Sequence, residues 1–247
     1  MSIDNEEDLE ALKRAGRVVA EALKEMEAAV RPGVTTAHLD EVGARVLRRH
    51  GALSAPQKVY NFPGVNCISL NDEAVHGVPG DRTVKAGDLV KLDVTAELDG
   101  YIADAAITVL VEPVSRRGRQ LVTCARSAFE HAYLAARAGR PINAIGYALE
   151  GEVRRHGFAV LRELHSHGVG RTIHEPPSIP QYFERRATEP LREGSVLTIE
   201  PIISVGKTKV VEAGDGWTLK TADGSLSAHY EHTVVITKGR PIILTAA

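Results

Sequence analysis

The chain has 247 residues, enough for one large domain or two small ones, and 43% of them are apolar, enough for a sizeable core. Its 30 basic and 32 acidic residues leave a net charge of −2, which excludes the surplus of positive charge that nucleic-acid binding requires. The opening residues, Met1 to Asp8, are acidic and polar, unlike a signal or transit peptide, and no apolar run reaches the length of a membrane span, so a cytoplasmic protein is expected.

Leu9, Leu12, Ala15, Val19, Leu23 and Met26 recur at helical spacing and predict a helix over residues 8–30, stopped by Pro32-Gly33. Thr35 or Thr36 caps a second helix, running to about His50 with Gly51 just beyond it. Residues 88–111 form two β-rich runs broken by Asp99-Gly100, a strong hairpin signal. A third helix is expected over 115–137, and a fourth is expected from Asn143, as its cap, to His156-Gly157. Cys67 and Cys124 form no Cys-x-x-Cys pair and read as two reduced thiols.

Two segments look related. Arg31-Pro32-Gly33 opens one that closes on Arg48-Arg49-His50-Gly51. Arg137-Ala138-Gly139 opens another that closes on Arg154-Arg155-His156-Gly157. Both landmarks are offset by 106 positions, from 31 to 137 and from 48 to 154. Each follows a long helix and precedes strand-rich sequence, so the order of elements repeats as well. We expect an α+β fold with two pseudo-symmetric helix–helix–strand halves around a shared antiparallel sheet. No linker interrupts it, and residues 1–247 read as one domain.

Asp93, Asp104, His167, Glu200 and Glu231 stand out as candidate metal ligands, drawn from both halves. Four carboxylates and one imidazole are enough to hold two divalent cations side by side, a device that activates water and polarises a carbonyl. With a two-residue turn at Asp99-Gly100, Asp93 faces Ala106 and Asp104 faces Thr95. The two aspartates are then diagonal neighbours on one face, with backbones roughly 7–8 Å apart. They repel unless a cation sits between them. From the hairpin alone, a solvated outer face carrying Lys91, Thr95 and Glu97 fits equally well.

His165, His167 and His174 lie in a turn punctuated by Gly168 and Gly170, which let backbone crowd a site. No Gly-Lys-Ser/Thr follows, so it is not a phosphate loop. Glu200 ends the apolar run from Val196 to Ile199 and is held extended by Pro201. Glu231 leads into Val234, Val235 and Ile236. A carboxylate in such a strand needs a partner, and either a cation or a salt bridge would serve.

Taken together, several stretches resemble the type I methionine aminopeptidases of pita-bread fold. They are Cys67-Ile68-Ser69-Leu70-Asn71 with His76-Gly77-Val78-Pro79, Lys91-Leu92-Asp93-Val94-Thr95, His167-Gly168-Val169-Gly170, Ile199-Glu200-Pro201, Asp215-Gly216-Trp217-Thr218 and Tyr230-Glu231-His232-Thr233. The resemblance runs from about Leu9 to Leu244. It implies that Asp93 ligates one ion, His167 and Glu200 the other, and that Asp104 and Glu231 bridge them. It implies Co, Mn, Fe or Zn as the pair of divalent metals. His76 and His174 would contact the substrate and steady the tetrahedral intermediate, and Glu200 would shuttle a proton. The implied reaction removes the initiator methionine from nascent polypeptides with a small second residue, near the ribosome, and the minimal length of the chain leads us to expect a monomer. Phe62, Cys67 and Trp217 are the candidates for the methionine pocket. Ala103, Ser166, Ile173, Val59, Pro56, Val75 and His229 depart from the family pattern, His229 standing where glutamine is common, and predict a reshaped pocket. Rival readings are an Xaa-Pro peptidase on the same fold and a non-catalytic polypeptide-binding relative.

Overall fold

The first helix starts ahead of its apolar stripe because a cap lies just upstream. In the computed structural model, which describes residues 1–246, helix α1 spans Glu6–Ala29, and Asn5 caps it by accepting the Asp8 amide at 2.9 Å. Helix α2 (Thr36–Arg49) is capped by Thr35, whose hydroxyl accepts the His38 amide. A short helix α3 (Ala55–Tyr60), with Ser54 as its cap and a proline in its first turn, is announced by no periodicity. Helix α4 is Arg116–Ala135, capped by Ser115, and helix α5 is Asn143–Arg155. Asn143 is not the cap expected of it. Ile142 holds that position without a side-chain bond, and the Asn143 side-chain amide (Nδ2) instead donates to the Glu184 carbonyl at 3.3 Å.

Nine strands form one sheet. Its main path runs Leu53–Ser54, Leu89–Leu98, Tyr101–Leu110, Glu231–Val235, Val196–Ile199, His165–Gly168 and Glu175–Pro180, every neighbour antiparallel. Cys67–Leu70 pairs with Leu89–Leu98, and Ile242–Ile243 with Glu231–Val235. The helix pair α1 and α2 covers the first half of this sheet, and α4 and α5 cover the second. The two halves repeat helix, helix and strands, and the sheet is shared.

The hairpin carries the register expected from its turn. Asp99 and Gly100 have φ of 53° and 79°, the left-handed pair that a two-residue turn of matching twist demands. Asp93 therefore faces Ala106, and Thr95 faces Asp104. Val90, Leu92, Val94 and Ala96 pack under α1 and α2 with Ala103 and Ala105. The alternate positions Lys91, Asp93, Thr95 and Asp104 face the opposite way. That face is not a solvated one, because Lys91 and Thr95 are buried. The Lys91 ammonium donates to the carbonyls of Asn71 at 2.8 Å and Ser227 at 3.1 Å. Among the described residues, no helix is long and apolar enough to cross a membrane.

Candidate metal centre

The hairpin brings two carboxylates to the inner face. Thr95 Oγ1 donates to Asp104 Oδ1 at 2.9 Å. Burial, and then the charges of Asp104 and Glu200, push the Asp93 carboxyl well above the usual range. Burial takes Asp104 up to about 6.

The second half supplies the remaining donors through short strands. His167 Nδ1 lies 2.9 Å from the Gly168 carbonyl oxygen, which can only accept, so Nδ1 carries the proton and Nε2 is bare. Nε2 stands 3.5 Å from Glu200 Oε1. The His167 amide donates to Thr198 Oγ1 at 3.0 Å, and that hydroxyl donates to Glu200 Oε1 at 2.7 Å. The Glu200 amide donates to Ser166 Oγ at 3.1 Å, so the serine found in place of the expected glycine has a bond of its own. Gly168 is needed for closeness: a side chain there would run into the Pro176 carbonyl. Glu231 is buried opposite Ala106, and its Oε1 has no hydrogen-bond partner. Two residues on, Thr233 Oγ1 accepts the Asp104 amide at 2.9 Å and donates to the Asp104 carbonyl at 2.8 Å.

These donors converge in two triplets. One oxygen or nitrogen from each of Asp104, His167 and Glu231 lies within 4.8 Å of the other two, and the same holds for Glu200, His229 and Glu231. Glu231 belongs to both. Asp93 joins neither triplet and sits beside Asp104.

Charge decides what such a cluster requires. Among the described residues, no lysine or arginine pairs with Asp93, Asp104, Glu200 or Glu231. Their basic neighbours within 4 Å are His167, beside Glu200, and His229, beside Glu231. Burial pushes these histidines down to about 4 and about 3, so both are neutral. Burial also holds Glu200 and Glu231 well above the carboxylate range, with like charges adding to the effect. Buried carboxylates without a cation are costly. Among the described residues no lysine or arginine relieves them, and Glu231 Oε1 has no hydrogen-bond partner. Oxygen donors with an imidazole suit Mn, Fe, Co or Zn as divalent ions.

Beside the cluster opens a cavity of about 260 Å³. His76 and His174 line it. His76 takes a left-handed backbone, φ 58°, and reaches solvent through the cleft although protein surrounds it closely. That surrounding, then the neighbouring His174, lowers its pKa. The His174 ring is 4.3 Å from that of His167, and its Nδ1 is 2.6 Å from the Tyr60 hydroxyl. Phe62 and Trp217 meet edge to face, 5.3 Å between centroids at 85°. Cys67, opposite Asp93, completes that wall, and burial pushes its thiol up, so it is no nucleophile. Ile173, Val75 and Pro56 line the cavity, whereas Val59 is exposed outside it. Tyr60, Leu164 and Ile202 also line it and carry no local signal in the sequence, since none stands in a polar cluster or at an odd place in a periodicity.

The fold and the site define a metallopeptidase. The profile of metallopeptidase family M24 matches residues 10–238. Over 99% of this chain and 99% of its own length, methionine aminopeptidase 2 of Bacillus subtilis (strain 168) is 46% identical. The crystal structure of methionine aminopeptidase from Thermotoga maritima superposes with a TM-score of 0.96 at 36% identity, covering all of both chains. The chain belongs to the methionine aminopeptidases of family M24 and has the pita-bread fold. The prolidase from Pyrococcus furiosus shares the fold at a TM-score of 0.79 and 23% identity, and 65% of that longer chain is covered.

Proposed function

We propose that the protein removes the N-terminal methionine from new polypeptides with a small second residue, using two divalent cations held by Asp93, Asp104, His167, Glu200 and Glu231. One observation carries the reading: carboxylates gathered in the interior, with no lysine or arginine paired to them, beside a cavity whose wall includes Phe62, Ile173 and Trp217. When bound, the cations supply an acidified water and polarise the scissile carbonyl.

The chain's own groups do the rest. Glu200 is the proton carrier, taking a proton at its carboxylate from the attacking water and delivering it to the leaving amine. Thr198 fixes one of its oxygens, and burial raises its pKa toward the range a proton carrier needs. With Tyr60 at Nδ1, His174 keeps Nε2 free to donate to the developing oxyanion, and His76 faces the same cavity. Phe62, Cys67 and Trp217 enclose the methionine side chain, whose sulfur is attracted to aromatic edges. The partners in this reading are nascent N-termini near the ribosome, met in the cytoplasm by a monomer with one catalytic domain.

Metal-stripped protein should release methionine from Met-Ala-Ser only when Mn(II) or Co(II) is restored. Glu200→Ala should lower that turnover by roughly 10²- to 10⁴-fold. Preferential cleavage of Xaa-Pro peptides would overturn the substrate assignment, and binding of metal with no hydrolysis of any peptide would overturn catalysis.

A further inference from the structure

His229 closes the strand Ser227–His229, opposite Ile202 and two residues before Glu231. A single threonine clamps its main chain: the His229 amide donates to Thr108 Oγ1 at 2.9 Å, and that hydroxyl donates to the His229 carbonyl at 2.8 Å. The ring is thus held at the cavity wall and is only 2% exposed. Its Nε2 has no hydrogen-bond partner. Glu231 Oε2 lies 3.1 Å away but off the line a hydrogen bond would need, and Glu231 Oε1 is unpartnered too.

A buried ring nitrogen without a partner is costly and calls for an explanation. Service as a hydrogen-bond donor to Glu231 would turn the N–H toward the carboxylate, and it is not so turned. Two donors about 3 Å apart that do not point at each other are instead what neighbouring ligands on one ion look like, since bonds of about 2.1 Å at right angles give that separation. Glu200 completes the triplet, with its donor within 4.8 Å of the other two.

We propose that His229 Nε2 is a direct ligand of the cation held by Glu200 and Glu231, giving the centre a second imidazole. The inference rests on the dinuclear reading above. His167 Nε2 stands 3.5 Å from the same Glu200 carboxylate, so that ion gains a second nitrogen donor beside His167. A nitrogen in place of an oxygen or amide donor favours Zn(II) and Co(II) over Mn(II) at that position.

The test is NMR of the protein loaded with Co(II), because the Nδ1–H of an imidazole bound through Nε2 gives a paramagnetically shifted, solvent-exchangeable signal. Wild-type protein holding two Co(II) should show two such signals. His229→Gln, checked for folding by circular dichroism, should show one, bind one Co(II) at least tenfold more weakly by calorimetry, and lose part of its preference for Zn(II) over Mn(II). Two bound Co(II) with a single signal in the wild type would overturn the assignment of His229 alone. Fewer than two Co(II) bound by the wild type would overturn the dinuclear reading and this one with it. The wild-type spectrum decides the question even if the variant fails to fold.

Discussion

The two halves deliver their ligands by different means. In the first half, a continuous ten-residue ladder sets Asp93 and Asp104 on one face, and every pair from Leu89 with Leu110 to Leu98 with Tyr101 is in register. In the second half the strands bearing His167, Glu200 and Glu231 are short, and His165–Gly168 meets Val196–Ile199 through the single pair Gly168 with Leu197. Where the ladder gives out, side-chain hydroxyls take the backbone groups. Thr198 accepts the His167 amide, Ser166 accepts the Glu200 amide, and Thr233 bridges the strand ends at Asp104. A regular ladder positions side chains only in alternation. Hydroxyl struts hold the His167 and Glu200 backbone where the ladder between their strands thins to one pair, and they give both buried amides a partner.

The sharpest way to break this comparison is at the residue both triplets share. Glu231→Gln should abolish binding of both ions in calorimetric titration, with turnover lost by on the order of 10³-fold or more. Loss of one ion only would show that the halves hold their ions independently.

The struts themselves come next. Thr198→Val leaves the buried His167 amide unpaired and frees the Glu200 carboxylate. It should cost about 1–3 kcal/mol in denaturant unfolding and weaken metal binding by roughly 10- to 100-fold. Thr95→Val in the first half removes one bond to Asp104 while the ladder stays whole, and should cost only about 0.5–1.5 kcal/mol. Equal effects at the two threonines would refute the contrast.

The clustered carboxylates also predict a pH dependence. Their folded pKa values are raised, Asp104 to about 6 and Asp93, Glu200 and Glu231 well above the usual carboxylate range. Each therefore contributes stability that is present below the unfolded carboxylate pKa of about 4 and is lost as pH rises through the folded value. Metal-free protein is penalised most near neutrality, where cations relieve it. Saturating Mn(II) should raise Tm more at about pH 7.5 than at about pH 5, because binding must displace protons at the lower pH. An equal rise at both would mean that the carboxylates ionise without the metal.

The smallest effect on the metal centre is expected at the turn. Gly100→Ala places a side chain at φ 79° and should cost about 1–2 kcal/mol, with both metal affinities unchanged, because the ladder beyond the turn holds the register.

Much of this was legible in the chain because it depends on neighbours in sequence. The apolar stripe from Leu9 to Met26 writes α1, and Asp99-Gly100 sets the hairpin register that puts Asp93 across from Ala106. The resemblance carried by His167-Gly168-Val169-Gly170 and Tyr230-Glu231-His232-Thr233 pointed to the family. Other features were not legible. Asn143 looked like a cap, yet its side-chain amide is taken by Glu184, forty-one residues away. Lys91 and Thr95 read as a wet face as readily as an inner one, since alternation shows that two faces differ without saying which is buried.

By itself the sequence determined the four long helices α1, α2, α4 and α5, the hairpin register and the side-by-side aspartates, because caps, periodicity and turn chemistry act within a few residues. Only the tertiary structure decided that the two halves close on each other so that Glu231 is shared by two triplets. It also decided that Tyr60 meets His174 and that the unpartnered His229 nitrogen lies close to Glu200 as well as Glu231. Those meetings join segments far apart in the chain, and what selects them is the packing of two helix-covered half-sheets against each other, a global balance of burial and charge that no local pattern encodes.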